Sequence, residues 1–432
     1  MRTTHTFSVS NSTRFKKKLL IWSNSFSDAI FLDSNDHKDK YGSFDALLAV
    51  DSDSFLSTNS NSFEDLKQYH SKTKDWLFGY LSYDLKNELE DLKSNNYDGL
   101  SFPRLYFFRP RKLIILKGDT AQFLYLDPIK QECKDDFKEI CSIAPKLFYK
   151  RAIKKDIRIK LRIHKDAYFD KAKQFLRHIH RGDIYEANFC QEFYAVDTHI
   201  DPIATYFKLN KISETPFATL LKMENKFLIS ASPERYLKKM GNTIISQPIK
   251  GTAGRSKNKE DDLILKKALE EDPKERAENI MITDLVRNDL SKLALKGSVK
   301  VEELCKVYTF RQVHQMITTI KAQVEETEDP IEIIKASFPM GSMTGAPKIA
   351  AMQIIEDLEE TKRGLYSGAV GYFAPNGDFD FNVVIRSILY DANKKYVSFS
   401  VGSAITAKSD PEKEYQECLL KAKAMRKVLE SD

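Results

Sequence analysis

The stretch that most constrains the fold is Ser246-Gln247-Pro248-Ile249-Lys250-Gly251-Thr252-Ala253-Gly254-Arg255. Ahead of it, Gly241-Asn242-Thr243-Ile244-Ile245 reads as a turn followed by a β-branched strand. Pro248 has no N–H to give a sheet ladder, so the strand ends there or lies at an edge. Gly251 and Gly254 then permit backbone turns and the close approach of a ligand. Lys250 is left on the rim of a turn, between an apolar residue and a glycine. An amine displayed this way acts as a nucleophile if its pKa is lowered. A solvated lysine beside a hairpin turn is the plainer alternative.

The rest of the chain sets the scale. Its 432 residues, 42% hydrophobic, suffice for a large core in one domain or two. The 68 basic and 62 acidic side chains are interspersed and leave a net charge of +6, so neither nucleic acid nor membrane is expected as a partner. Cys133, Cys141, Cys190, Cys305 and Cys418 are scattered and lack C-x-x-C spacing, which fits a reducing compartment and no zinc site. Met1-Arg2-Thr3-Thr4-His5 leads into no apolar leader, and no run has the length of a membrane span. A soluble cytoplasmic protein is expected.

Residues 1–150 mix short strands, such as Ala46–Val50, Trp76–Tyr83 and Leu113–Leu116, with helices. A lysine-rich stretch from Lys146 to Lys165 reads as a boundary between this part and a region spanning 160–430. Helical spacing from Ala167 runs to Gly182; His178 and His180 lie two apart and cannot share a helix face as metal ligands. Strands are expected at Phe227–Ser232, near Gly297–Val301, and at Gly368–Phe373, Asn382–Tyr390 and Tyr396–Val401, with helices opening at Pro347 and Pro411. The strands come in runs as well as alternations, which favours an α+β architecture over a doubly wound sheet.

Several constellations could carry chemistry. Asp272-Pro273 and Asp410-Pro411 each supply an N-cap and a first-turn proline. Glu275 and Glu278 follow the first, Glu414 and Glu417 the second, each pair on one helix face near the positive dipole end. Two such faces turned toward each other would hold a hard divalent cation through oxygen ligands; ordinary solvated helix glutamates, with a capping box at Asp272 and Glu275, are the alternative. Met340-Gly341-Ser342-Met343-Thr344-Gly345-Ala346-Pro347-Lys348 is a loop entering a helix, able to offer N–H groups to an anion or simply to pack. It lacks the Walker spacing. Arg386 is one charge inside an apolar run and should meet a carboxylate or an anionic ligand, unless it lies on a solvated face. The small residues Gly402-Ser403-Ala404-Ile405-Thr406 suit backbone contacts with a ligand. Glu234 follows an apolar strand, a position for a general acid or for a solvated turn carboxylate.

Together these stretches resemble the chorismate-utilising enzymes over roughly residues 165–430. The resemblance rests on Ser232-Pro233-Glu234-Arg235, Pro248–Thr252, Glu275–Asn279, Asp284–Asp289, Gly341–Lys348, Arg363–Gly368, Ile385-Arg386 and Glu414–Glu417. It implies an α+β fold of two packed antiparallel sheets between helix layers. It also implies roles. Lys250 attacks C2 of the chorismate ring while the C4 hydroxyl leaves, with Glu234 as general acid. Glu278 and Glu417 bind Mg²⁺, with Glu275 and Glu414 close behind. Thr344, Tyr366, Arg386 and the backbone of Gly402 and Ala404 grip the substrate. Ammonia comes from a separate glutamine amidotransferase. Lysine at position 250 resembles the aminodeoxychorismate synthase branch, whereas the anthranilate synthase branch carries alanine. The implied product is 4-amino-4-deoxychorismate, for p-aminobenzoate and folate synthesis. Anthranilate synthase component I, isochorismate synthase and a non-catalytic amidotransferase-binding relative are the rivals.

Three departures stand out. Gln315 lies where most relatives have histidine, and His314 is one position early and should face away. Glu186 replaces a glutamine of the amino-transferring members, and Gly402-Ser403-Ala404 replaces a more glycine-rich run. Gln315 and Glu186 fall at substrate-binding positions.

Overall fold

The computed structural model describes residues 1–145, 157–311 and 313–430. Most of the expected boundary, residues 146–156, lies outside the described residues. The strand ladders are antiparallel.

One sheet runs β1 (Arg2–Ser8), β6 (Thr120–Leu126), β5 (Leu105–Lys117), β3 (Ala46–Thr58), β2 (Asp28–Asp33), β9 (Phe217–Met223) and β10 (Lys226–Ser232), then β19 (Ser387–Asp391), β20 (Tyr396–Thr406) and β8 (Glu186–Ala195). The short strands β7 (Lys160–Leu161) and β16 (Gly345–Ala346) also pair with β8. The other sheet runs β4 (Leu77–Leu81), β17 (Ala369–Phe373), β18 (Phe379–Val383), β11 (Arg235–Met240), β12 (Thr243–Gln247), β15 (Val313–Gln323) and β14 (Lys300–Thr309). After β12, β13 (Ile249–Gly254) continues along β15. The first half of β5 pairs with β4 and its second half with β6, while β3 follows it throughout, so this pair joins the two sheets. β2 pairs with β9 and β4 with β17, so the first 150 residues supply strands to both sheets.

The helices are α1 (Ser12–Trp22), α2 (Ser62–Thr73), α3 (Lys86–Leu89), α4 (Cys133–Ser142), α5 (Lys165–Arg181), α6 (Pro202–Ser213), α7 (Lys259–Glu271), α8 (Pro273–Ser291), α9 (Pro330–Ser337), α10 (Lys348–Leu358) and α11 (Pro411–Glu430). Residues of β2 alternate between two cores. Ala29 and Phe31 join Phe15, Tyr168, Phe175, Tyr206 and Met425 of the helix layer, whereas Ile30 and Leu32 join Phe78, Phe107 and Phe381 between the sheets. A strand buried on both faces reads as a continuous apolar run, which is why β2 and the start of β3 show no polar alternation. Full burial of a side chain such as Phe175 contributes roughly 1.5–3 kcal/mol. Ile282 and Val286 of α8 and Ile331 and Ile334 of α9 pack on the inter-sheet core and fix α8 over β15. The architecture is therefore α+β, two joined antiparallel sheets with flanking helices.

Three expected strands change. Asn382–Tyr390 is not one strand: β18 ends at Val383, β19 begins at Ser387, and Arg386 between them takes a left-handed φ of 51°. A non-glycine residue in that region costs energy and marks a constrained site. The strand placed near Gly297 begins at Lys300, after a turn in which Gly297 has φ 75°. The small residues Gly402–Thr406 do not follow a strand but extend β20, pairing with Cys190–Glu186 of β8.

Candidate active site

Lys250 owes its position to a break in register. Ile249 pairs with Ile317 and Thr252 with Gln315, and the ladder shifts between them, leaving Lys250 and Gly251 in a bulge. Gly251 has φ 92°, and a Cβ there would lie 3.2 Å from Glu275 Oε2. The bulge turns Lys250 toward β8, where its Nζ donates to Glu186 Oε1 at 2.7 Å. Asn279 of α8 donates to the Lys250 carbonyl at 3.4 Å and holds the turn.

The sequence reading expected a lowered lysine pKa, and burial does push it down. The carboxylates of Glu186, Glu278 and Glu234 outweigh burial and hold the amine above the usual lysine range. Lys250 is therefore an ammonium in this structure, and Glu186, expected at the substrate, is its ion-pair partner. Glu186→Gln removes the largest upward influence and leaves the burial. The pH at which Lys250 becomes a free amine should fall, and the acidic limb of the pH–rate profile should move to lower pH. An unmoved limb would separate that limb from the Lys250–Glu186 pair.

Glu234 lies just beyond β10, buried at 3% exposure. It accepts from Ser342 Oγ at 2.5 Å and from the Ile249 N–H, yet burial pushes its pKa up to about 7. A carboxyl that keeps its proton near neutrality can donate it. Arg386 shares this region: burial pulls its pKa down to about 10, and Glu234 opposes that. No ion pair anchors the Arg386 guanidinium among the described residues, so it is a cation available to an anion.

Thr344 is buried, its hydroxyl spent on the Gly341 carbonyl at 3.1 Å and its own carbonyl accepting from Asn188 N–H. Tyr366 is buried with its hydroxyl 3.9 Å from Cys190 Sγ. Gly402 is required by crowding, since a Cβ would lie 2.5 Å from Cys190 Sγ. Its carbonyl accepts from Lys421 Nζ at 2.9 Å, and the Ala404 carbonyl from Ser409 Oγ at 3.4 Å. Lys348, in the loop read as an anion site, is turned inward: its Nζ bonds Asp289 and the carbonyls of Ser337 and Pro339.

The four glutamates come from the first two turns of α8 and α11. Asp272 caps α8 through the N–H groups of Lys274 and Glu275, and Asp410 Oδ1 accepts from Lys413 N–H. Glu278 Oε1 and Glu414 Oε2 are buried with no hydrogen-bond partner. Burial raises the Glu278 pKa to about 7, while Lys421 at 2.7 Å helps to hold Glu417 below the usual range. Lys274 Nζ lies 3.8 Å from Glu278 and 3.6 Å from Glu414. Among the described residues no three His, Cys, Asp or Glu side chains form a ready-made metal cage. The donor set is nonetheless hard oxygen, with one orphaned carboxylate oxygen on each of Glu278 and Glu414, a chemistry that fits a divalent cation such as Mg²⁺.

Gln315 and His314 take opposite sides of β15. His314 is buried against Asp262 of α7 at 3.0 Å and Thr309 at 3.0 Å, whereas Gln315 Oε1 is buried and unpartnered. Gln315→His should retain turnover, and His314→Ala should lower stability but leave kcat within a few-fold. A large kcat loss from His314→Ala with intact folding would reverse the two roles. Sequence reasoning missed Ser342 as the partner of Glu234 and missed Lys274. The first has no local signal; the second has one, a lysine in a helix's first turn, where the dipole disfavours it.

Residues 27–427 match the chorismate binding enzyme family. A probable chloroplastic aminodeoxychorismate synthase of Oryza sativa subsp. japonica is 42% identical over 269 residues, 62% of this chain and 30% of that protein. The chain thus spans under a third of that relative. An anthranilate synthase component I-like protein of Synechocystis is 34% identical over 357 residues, 82% of this chain and 72% of its own. The crystal structure of anthranilate synthase component I from Streptococcus pneumoniae superposes with a TM-score of 0.79 at 24% identity, covering 90% of this chain and 94% of that one.

Proposed function

We propose that this chain, which belongs to the chorismate binding enzyme family, is an aminodeoxychorismate synthase component I. It converts chorismate and ammonia to 4-amino-4-deoxychorismate and serves p-aminobenzoate and folate synthesis in the cytoplasm. The observation that carries this reading is Lys250, half-buried at the bulge within the electrostatic reach of Glu186, Glu234 and Glu278. Relatives named aminodeoxychorismate synthase support it.

Lys250, after its proton passes to a neighbouring carboxylate, attacks C2 of the ring with its lone pair. The two ring double bonds shift and the C4–O bond breaks with its electrons on oxygen. Glu234 donates its proton to that oxygen, and water leaves. Ammonia then adds at C4, the double bonds return, and the C2–N bond breaks with its electrons on Lys250. The proton shed by the new amine restores Glu234. Arg386 faces a substrate carboxylate. Glu278 and Glu417, with Glu275 and Glu414, would hold Mg²⁺, which would neutralise the ring carboxylate. Cys190, which is flanked by Phe189 and Gln191, is buried with its thiol pKa pushed up to about 12 by burial, so it is no glutaminase nucleophile. Ammonia is expected from a separate glutamine amidotransferase subunit.

The test is product analysis with chorismate, Mg²⁺ and ammonium at raised pH. 4-Amino-4-deoxychorismate is expected, and none with glutamine until the partner is added. Anthranilate or isochorismate as the product would replace this reading; turnover with glutamine by the chain alone would remove the partner.

A further inference from the structure

Lys274 occupies the second position of α8, after Asp272 and Pro273. A cation there opposes the positive end of the helix dipole and is disfavoured. Something else must hold it. Its Nζ lies between the N-terminal ends of two helices, 3.8 Å from Glu278 Oε1 and 3.6 Å from Glu414 Oε1. Glu275 and Glu417 add their fields at the same point. Glu278 and Glu414 are both nine-tenths buried or more, yet Glu278 Oε1 and Glu414 Oε2 accept no hydrogen bond. Lys274 therefore balances charge here without satisfying the oxygens. Its side chain is 48% exposed, so it has a way out to solvent.

We propose that Lys274 is a resident counter-ion that holds the place of the divalent cation and withdraws when the ion binds. This rests on the metal reading of the four glutamates given above. Buried carboxylates left without a counter-charge repel one another and are costly. An ammonium on a flexible four-carbon stem supplies the charge, and its long N···O separations keep it replaceable. The same ammonium competes with Mg²⁺ for the cluster and keeps the carboxylates from converging into a cage.

The test uses the whole chain without chorismate and measures Mn²⁺ binding by calorimetry or by the spin resonance of the free ion. Lys274→Met keeps the stem and removes the charge. It should bind Mn²⁺ at least tenfold more tightly, about 1.4 kcal/mol, and melt lower than the wild type in EDTA. Lys274→Arg keeps the charge and should retain the wild-type affinity. Equal or weaker Mn²⁺ binding by Lys274→Met, with the wild type binding normally, overturns the role of Lys274 and leaves the metal site standing. If neither chain binds Mn²⁺, the proposal and the metal reading fall together, whereas the product analysis judges the reaction independently.

Discussion

Lys250→Ala is expected to reduce synthesis of 4-amino-4-deoxychorismate by at least about 10³-fold, a loss of about 4 kcal/mol of transition-state stabilisation. In the proposed mechanism Lys250 donates the electron pair to C2, and its neighbours Ile249 and Gly251 offer no nucleophilic side chain in its place. The substitution has a structural side. Glu186 is 1% exposed and loses the one cation it pairs with among the described residues, and removing one partner of a buried pair costs about 3–5 kcal/mol. The double variant Lys250→Ala/Glu186→Gln removes that stranded charge and should fold like the wild type while remaining inactive. Wild-type rates in either variant would mean that ammonia adds to the ring directly.

Glu278→Gln and Glu417→Gln should each abolish turnover, by about 10³-fold, with the fold retained. Each amide keeps the shape and removes a ligand charge. Burial already disfavours the ionised form of Glu278 in the absence of a metal, so the amide disturbs packing little. The loss should therefore appear in catalysis and in divalent-ion affinity, not in melting temperature. EDTA should reproduce it in the wild type, and excess Mg²⁺ should reverse it. Full activity in EDTA would remove the metal from this account.

Local sequence patterns predicted the elements around the site and not the partners within it. Pro248 marked the end of β12 and Gly251 a special backbone position, because proline's missing donor and a positive φ are local facts; the turn expected there is a bulge within β13, and Gly254 is an ordinary strand residue paired with Val313. Asp272-Pro273 marked the start of α8 for the same reason. The charge state of Lys250 was not local. It depends on Glu186, sixty-four positions earlier, delivered by a strand of the other sheet. Ser342 reaches Glu234 across 108 positions in the same way. Arg386 was noticed as a charge in an apolar run, but the break in the strand there was not, since Val383-Val384-Ile385 carries strong strand preference and tertiary packing overrides it. The strand expected at Tyr396–Val401 stopped short of Gly402–Thr406 because the small residues that open this run are weak strand formers; Cys190 pressed against Gly402 supplies a packing reason for the glycine.

The most direct measurement is mass spectrometry of the wild-type chain after incubation with chorismate and Mg²⁺ in the absence of ammonia. The account predicts an intact mass raised by one chorismate less one water, with the addition mapped by peptide analysis to Lys250 and discharged when ammonium is added. An unmodified Lys250 in a chain that goes on to make 4-amino-4-deoxychorismate once ammonium is supplied would contradict it.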